Sequence, residues 1–363
     1  MSQFKQIIYF PFLRFNDRFD LSFERLAIVE LDDFIANYLN DKTEKDYIEK
    51  LLSSNKIMGR PNKKIKIIVD VKNTRFEPAD AKTVSLIEEY KLLLFICSLS
   101  ASSINIFMNS GHYMATSENF TVVYQNFRFS SEWTAYIAGK IIQIKDGGYK
   151  IGELIFEKPI HVLLNELSFD SELFSTLKAC KKNKSKFYRR ITRSIESVMQ
   201  SYYNSDDISR ELRILGLVRA FEILFDLPES SQRKMFKDKI AKYCQIENER
   251  KYRYKFEHYD KLKDDIGTIH QIWADRFYTL RNHIIHGDNI KSKDYNYKNQ
   301  GHISLAIMFY VIALKRLLNE LLNKVIFYDV VIYKDKKLIV DNQLGKLIID
   351  KLGEYNVFTD SNE

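Results

Sequence analysis

The sequence predicts an α+β N-terminal domain with an antiparallel sheet, then an all-α helical bundle and a short C-terminal β-hairpin. Three observations carry this. β-type segments crowd the first part of the chain, with KIKIIVDV at Lys64–Val71 the plainest of them. From Leu163 onward the apolar positions take helical spacing. Near the end, Val325–Tyr333 and Leu338–Val340 flank Asp335-Lys336-Lys337 as a hairpin. A chain of 363 residues has room for two domains at about 150 residues each. The expected division is 1–162, 163–324, and a hairpin with tail at 325–363.

In order, Gln3–Arg14 reads as a strand and Phe19–Ala27 alternates in part. Asp32–Ser53 is helical by the spacing of Phe34, Tyr38, Ile48 and Leu51. Lys64–Val71 is a strand, and Asp80–Leu99 a helix running into a strand at Ile104–Met108. Phe120–Phe129, Tyr136–Ile144 and Tyr149–Phe156 follow as strands, the last two joined by an Asp146-Gly147-Gly148 turn. The helices expected next are Ser168–Lys178, Ser185–Tyr203, a helix from a Ser205 or Asp206 cap to Phe225, and one from Ser230 or Ser231 to Cys244. Pro228 stops the third of these. Glu247–Asp260 is charged and aromatic; then come long helices at Asp265–His286 and Ile303–Asn323, and a short strand at Leu347–Ile349.

Composition narrows the function. Hydrophobic residues at 45%, with 25 Phe and 22 Tyr, supply real cores and exclude a disordered chain. Cys97, Cys180 and Cys244 are too scattered for a zinc site or disulfide framework, which fits a reducing cytoplasm. Leu92–Ser117 carries no Asp, Glu, Lys or Arg, but is strongly apolar only to Leu99. A span needs about 20 mostly apolar residues, so no membrane is expected. The N-terminal half has no glycine-rich phosphate loop, HExxH or nucleophile with matching partners, and no cofactor or metal is implied. Net charge of +8 suits a polyanionic partner.

That charge clusters. Lys178–Arg190 holds Lys178, Lys181, Lys182, Lys184, Lys186, Arg189 and Arg190 with no acid. Arg250–Phe256 interleaves Arg250, Lys251, Arg253 and Lys255 with Tyr252, Tyr254 and Phe256. Cations that grip phosphates beside rings that stack on bases are what hold single-stranded RNA. The bland alternatives are a solvated linker for the first cluster, and an edge strand or polar helix face for the second. Lys291, Lys293, Tyr295, Tyr297 and Lys298 extend the basic, aromatic character past the next motif.

That motif is Arg281-Asn282-His283-Ile284-Ile285-His286-Gly287, closing the helix from Asp265. His286 can move a proton at neutral pH, Arg281 can hold a phosphate in a bidentate fork, and Asn282 can orient either. Gly287 supplies a helix stop. On an ideal helix Asn282 and His286 share a face, whereas Arg281 and His286 stand about 140° apart. The structural alternative has Arg281 paired with a carboxylate such as Glu222 and His286 capping its own helix.

In setting and spacing the stretch resembles the Arg-polar-x-x-x-His signature of the HEPN superfamily, of the ApeA-like type. The resemblance covers Asp206–Lys324, including the apolar helix that follows. It implies a HEPN-like bundle acting as a metal-independent endoribonuclease, with Arg281, Asn282 and His286 catalytic and His283 and Glu222 auxiliary. It also implies a homodimer whose two motifs line one cleft, and a toxin or abortive-infection role in prokaryotic defence. The N-terminal domain is then expected to sense a protein trigger or inhibitor. The alternatives are a non-catalytic module binding RNA or protein, and a dimerisation scaffold.

Overall fold

Alternation in KIKIIVDV puts Ile65, Ile67 and Val69 on one face of a strand, and that face builds the first core. The computed structural model describes residues 5–17, 19–53, 55–57, 59–73, 76–108, 115–128, 133–137, 140–144, 156–157, 166–203, 208–244, 251–258, 261–297, 300–323, 330–333 and 336–339. The chain divides into two units: Met1–Ser98 with Tyr113–Phe169 and Tyr203–Ser205, and Leu99–His112 with Asp170–Tyr202 and Asp206–Glu363. The second unit thus begins at Asp170 rather than 163, and it also takes 99–112 from the expected first domain.

The first unit comprises β1 (Lys5–Phe10), β2 (Leu26–Glu30), α1 (Leu31–Tyr38), α2 (Lys42–Leu52), β3 (Asn55–Ile57), β4 (Arg60–Pro61), β5 (Lys66–Asp70), most of α3 (Ala81–Met108), β6 (Val123–Arg128), β7 (Trp133–Ile137), β8 (Lys140–Ile144) and β9 (Phe156–Glu157). The main sheet runs β2-β5-β1-β6-β7-β8. Every pairing in it is antiparallel, as expected. Ile7 and Tyr9 of β1 join Ile65, Ile67 and Val69 under Phe34 of α1 and Ile48, Leu51 and Leu52 of α2.

Three local expectations fail here. Asp32–Ser53 is two helices: Leu39 is extended, and the Asp41 carboxylate accepts from Glu44 N (3.1 Å), capping the second. Ile104–Met108 is the last part of α3, not a strand. A short apolar run alone does not separate a strand from a buried helix. The expected strand Tyr136–Ile144 is instead divided between two antiparallel strands, in register Trp133↔Ile144 to Ile137↔Lys140. The Asp146-Gly147-Gly148 turn, positions 149–155 of the expected strand after it and the Leu347–Ile349 strand lie outside the described residues. The helix to Phe225 starts at Arg210 with Ser209 as its cap, the Ser209 Oγ accepting from Leu212 N (3.3 Å), in place of the expected Ser205 or Asp206.

The second unit is mostly helical: α4 (Ser171–Asn183), α5 (Ser185–Ser201), α6 (Arg210–Phe225), α7 (Gln232–Cys244), α8 (Ile269–His286) and α9 (His302–Leu322). Phe221 of α6 centres its core, with ring contacts to Phe236 of α7 (5.3 Å), Trp273 of α8 (6.5 Å) and Tyr310 of α9 (5.5 Å). α5 and α6 run antiparallel: Arg190 meets Asp226, Ser194 Oγ donates to Ala220 O (2.6 Å), and Ser201 lies against Gly216. Arg233 of α7 forks onto Asp275 of α8, with Nε–Oδ1 2.8 Å and Nη2–Oδ2 3.0 Å.

The expectation of an all-α bundle is corrected by β10 (Tyr252–His258) and β11 (Lys261–Gly267), an antiparallel hairpin ahead of α8. Asp265, expected to open the motif helix, lies in β11. The helix starts at Ile269, where Thr268 Oγ1 accepts from Gln271 N (3.3 Å) and Gln271 Oε1 accepts from Thr268 N (3.0 Å). This Thr-x-x-Gln box is a start signal that the apolar spacing had overshadowed. A short pairing of β12 (Asn296–Tyr297) with β13 (Gln300–Gly301) precedes α9, and β14 (Val330–Tyr333) pairs with β15 (Lys336–Ile339) as the expected final hairpin.

Candidate functional site at the end of α8

Gly287 ends α8 in the left-handed region (φ 73°), the conformation that favours a residue without a Cβ. Its N–H donates to Ile284 O (3.2 Å), and Asp288 N to His283 O (3.0 Å), the paired bonds of a Schellman stop. The glycine therefore satisfies the last carbonyls, and His286 is not needed as their cap. His286 is exposed, and among the described residues its side chain has no hydrogen-bond or ion-pair partner.

Arg281 is held from several sides. Its Nη1 donates to Asn282 Oδ1 (3.1 Å), its guanidinium carbon lies 5.3 Å from the Tyr278 ring centre, and Nη2 is 3.8 Å from Glu222 Oε1. The last is a loose ion pair; about a quarter of the arginine side chain remains open to solvent (26%). Glu222 is anchored independently, because the Tyr278 hydroxyl donates to the same Oε1 at 2.9 Å. Burial and then the Glu222 carboxylate push the Tyr278 hydroxyl up from its ordinary value, so it stays a donor. Tyr278 was not singled out by sequence; its position three residues before Arg281 was the available signal.

Asn282 is thus bonded to Arg281, not to His286. His283 is engaged elsewhere, with Nδ1 2.7 Å from Asp288 Oδ2. Glu222, Arg281 and Asn282 are brought together; His286 stands one turn further on the same helix, facing solvent.

Of the first basic cluster, Lys182, Lys184, Lys186 and Arg189 are exposed around the α4–α5 corner. Lys181 lies over the Tyr188 ring (5.9 Å), and Arg190 is committed to Asp226 (2.8 Å) and the Phe187 ring (4.9 Å). The second cluster behaves differently. Residue alternation in β10 sends Lys251, Arg253 and Lys255 to the exposed side, while Tyr252 is half-buried and Tyr254 buried on the other. The interleaving seen in sequence becomes segregation in space. The Tyr254 hydroxyl donates to Asp265 Oδ2 (3.1 Å), so its ring is part of the packing and does not offer a stacking platform. Arg250 lies outside the described residues, as does Lys298.

Beyond the motif, Tyr297 is buried and Tyr295 hydrogen-bonds Glu211, while Lys291 and Lys293 are exposed. The described residues contain no group of three or more His, Cys, Asp or Glu side chains placed to hold a metal. No described helix is long and apolar enough to cross a membrane. A cavity of about 160 Å³ in the first unit is lined by residues such as Ile8, Ile68, Phe76 and Ile87, and none of the motif residues borders it. No family model matches the chain, and no curated protein or solved structure is significantly similar to it.

Proposed function

We propose that this protein is a metal-independent endoribonuclease of HEPN type, cytoplasmic and homodimeric, acting as a toxin or abortive-infection effector. The observation that carries the reading is the end of α8. A braced, partly exposed arginine and an exposed histidine without a side-chain partner among the described residues stand in its last turns. The first is a group able to hold a phosphate and the second a group able to move a proton.

The chemistry is transesterification within RNA. One histidine takes the 2′-hydroxyl proton as the oxygen bonds to phosphorus; the 5′-oxygen leaves with a proton returned to it, and a 2′,3′-cyclic phosphate remains. Arg281 offsets the added negative charge on the pentacoordinate phosphorus. The nucleophile belongs to the substrate, so the scheme calls for no metal-bound water. Two copies of α8 facing one another supply two histidines and two arginines to one cleft, which overcomes the angular separation within a single helix. The α4–α5 cations fit the RNA backbone, and the first unit is assigned to sensing a protein trigger or inhibitor.

The test is cleavage of mixed RNA in EDTA by wild type, Arg281→Ala and His286→Ala, each first shown folded and of equal oligomeric state. Cutting by wild type that is lost in both variants and leaves a cyclic phosphate supports the reading. Cutting that survives both sinks it. A second reading, a binding module without catalysis, is favoured by the Arg281–Glu222 pair, which gives the arginine a structural role. It predicts RNA binding by all three proteins and cleavage by none.

A further inference from the structure

The contacts of α6 connect the motif to one basic cluster and leave the other remote. Glu222 is 3.8 Å from Arg281. Asp226 is one helical turn beyond Glu222, about 6 Å away, and it pairs with Arg190 of α5 at 2.8 Å. Two ion pairs and a single turn of helix therefore link Arg281 to α5.

The exposed side of that path is basic. On α5, Lys186, Arg189 and Arg193 are exposed and recur at three- and four-residue spacing, which places them on one face. On α6, Arg219 is exposed and sits three residues before Glu222 and seven before Asp226. Seven residues return to within about 20° of the same direction, so Arg219 and Asp226 mark the solvent stripe of α6. Gly216 and Ala220 of α6 face α5, and Glu222 faces α8. Arg219 stands in the angle between those faces. Of the acids on the route, Asp226 is paired with Arg190 and Glu222 lies 3.8 Å from Arg281, while the exposed Glu196 marks the far end of the α5 stripe.

The hairpin cations are elsewhere. A Cβ on Gly267 would stand 3.4 Å from the Tyr254 ring and 3.2 Å from Gln271 Cβ, so Tyr254 packs at the opening of α8. From Gln271 to Arg281 the helix rises about 15 Å.

We propose that single-stranded RNA held at Arg281 and His286 continues past Arg219 onto the α5 stripe of Lys186, Arg189 and Arg193, and that the β10–β11 hairpin is not part of its path. The substrate class rests on the ribonuclease reading; the path does not depend on cleavage. Cations at helical spacing, with no free aromatic platform among them, fit backbone contacts and weak sequence preference.

The experiment measures binding of a short fluorescent RNA oligonucleotide by anisotropy across a salt series, using the full chain in a His286→Ala background. Three proteins are compared: the background itself, Lys186→Ala/Arg189→Ala/Arg193→Ala, and Arg253→Ala/Lys255→Ala. All five substituted cations are exposed, and equal thermal melts confirm folding. The α5 variant should lose roughly tenfold or more in affinity and about 2 units of log–log salt slope, at about 0.7 per phosphate contact on a single strand. The hairpin variant should stay within about twofold of the background. Arg219→Ala alone should lower the slope by about 0.7.

Unchanged binding by the α5 variant, or a larger loss in the hairpin variant, overturns the path. So does equal competition by duplex DNA of the same length, which would make the stripe a general polyanion surface. If wild type cuts RNA while the α5 variant binds normally, the path fails and the nuclease stands. If the α5 variant loses binding but no protein cuts, the path stands and the nuclease fails.

Discussion

On the proposed ribonuclease reading, Arg281 steadies charge and His286 moves a proton, and each substitution should slow the chemical step. Removing a transition-state charge partner or a proton carrier typically costs 10²- to 10⁴-fold in rate. We expect Arg281→Ala and His286→Ala each to lose about that much cleavage. Arg281→Lys should recover little of it, because an ammonium cannot fork onto two phosphate oxygens. Single-turnover assays at saturating RNA separate this from weakened binding. His302 offers a prediction about folding. It is buried (2% exposed) with its ring stacked on Phe277, and burial, then the charge of Arg276, lower its pKa to about 4. The unfolded chain, at about 6.5, binds the proton that the folded chain refuses. The neutral ring thus contributes stability that is fully present above pH 6.5 and is lost as pH falls toward 4. The difference is at most about 3 kcal/mol. Denaturant melts at pH 7 and 4.5 should show a smaller pH-dependent loss in His302→Phe than in wild type.

Between elements, one contact joins α7 to α8 and another fixes the crossing of α5 and α6. The Arg233–Asp275 fork joins α7 to α8 with the Asp275 side chain 5% exposed. Breaking a buried pair from one side typically costs about 3–5 kcal/mol, whereas an apolar replacement of both partners is often neutral. Asp275→Ala should therefore be strongly destabilised, and Arg233→Met/Asp275→Leu should melt near wild type. The α5–α6 crossing depends on Gly216, where an added Cβ would fall 1.9 Å from Ser201 Oγ and 3.2 Å from Ser201 Cβ. Helix propensity favours Gly216→Ala by about 1 kcal/mol, but overpacking costs about 1–3 kcal/mol. The Ser201 hydroxyl would also have to leave Ser197 O, its partner at 2.6 Å. A net loss is expected. Adding Ser201→Ala removes the closest atom and should return much of it, a coupling that a double-mutant cycle would read as favourable.

For the whole molecule, the proposed dimer is the feature on which the ribonuclease reading depends. Mixing Arg281→Ala subunits with His286→Ala subunits gives heterodimers in which one composite site keeps an intact arginine and an intact histidine. If the cleft is shared between chains, the mixture should regain a measurable fraction of wild-type cutting, while each parent stays silent. If each chain acts alone, the mixture stays as inactive as its parents. Co-purification of differently tagged subunits from the same samples establishes that subunits have exchanged.

Much of the architecture was legible in the chain. The antiparallel sheet followed from alternation in Lys64–Val71 and its neighbours, and the long helices of the second unit from apolar spacing, because periods of 2 and 3.6 are local properties. The stop of α8 was legible too, since a glycine past the last turn has a specific backbone reason to be there. The end of α3 was not: Ile104–Met108 has the composition of a strand, and only continuation of the helix through it decides otherwise. Nor was the hairpin before α8, whose charged, aromatic residues fit a strand and a helix face equally well until pairing with Lys261–Gly267 selects the strand.

The same divide runs through the candidate site. The sequence alone determined its parts: an arginine, a polar residue and a histidine at the end of a helix, with basic clusters on either side. Tertiary structure decided which parts meet. It brought Glu222, from 59 positions earlier (281 − 222), to Arg281, and put Tyr278 between them. It also left His286 exposed and buried the Tyr254 ring that had looked available for a base. The physical reason is range: helix period and capping are written within a few neighbouring residues, whereas an ion pair or a buried ring depends on segments that only packing of the core brings into contact.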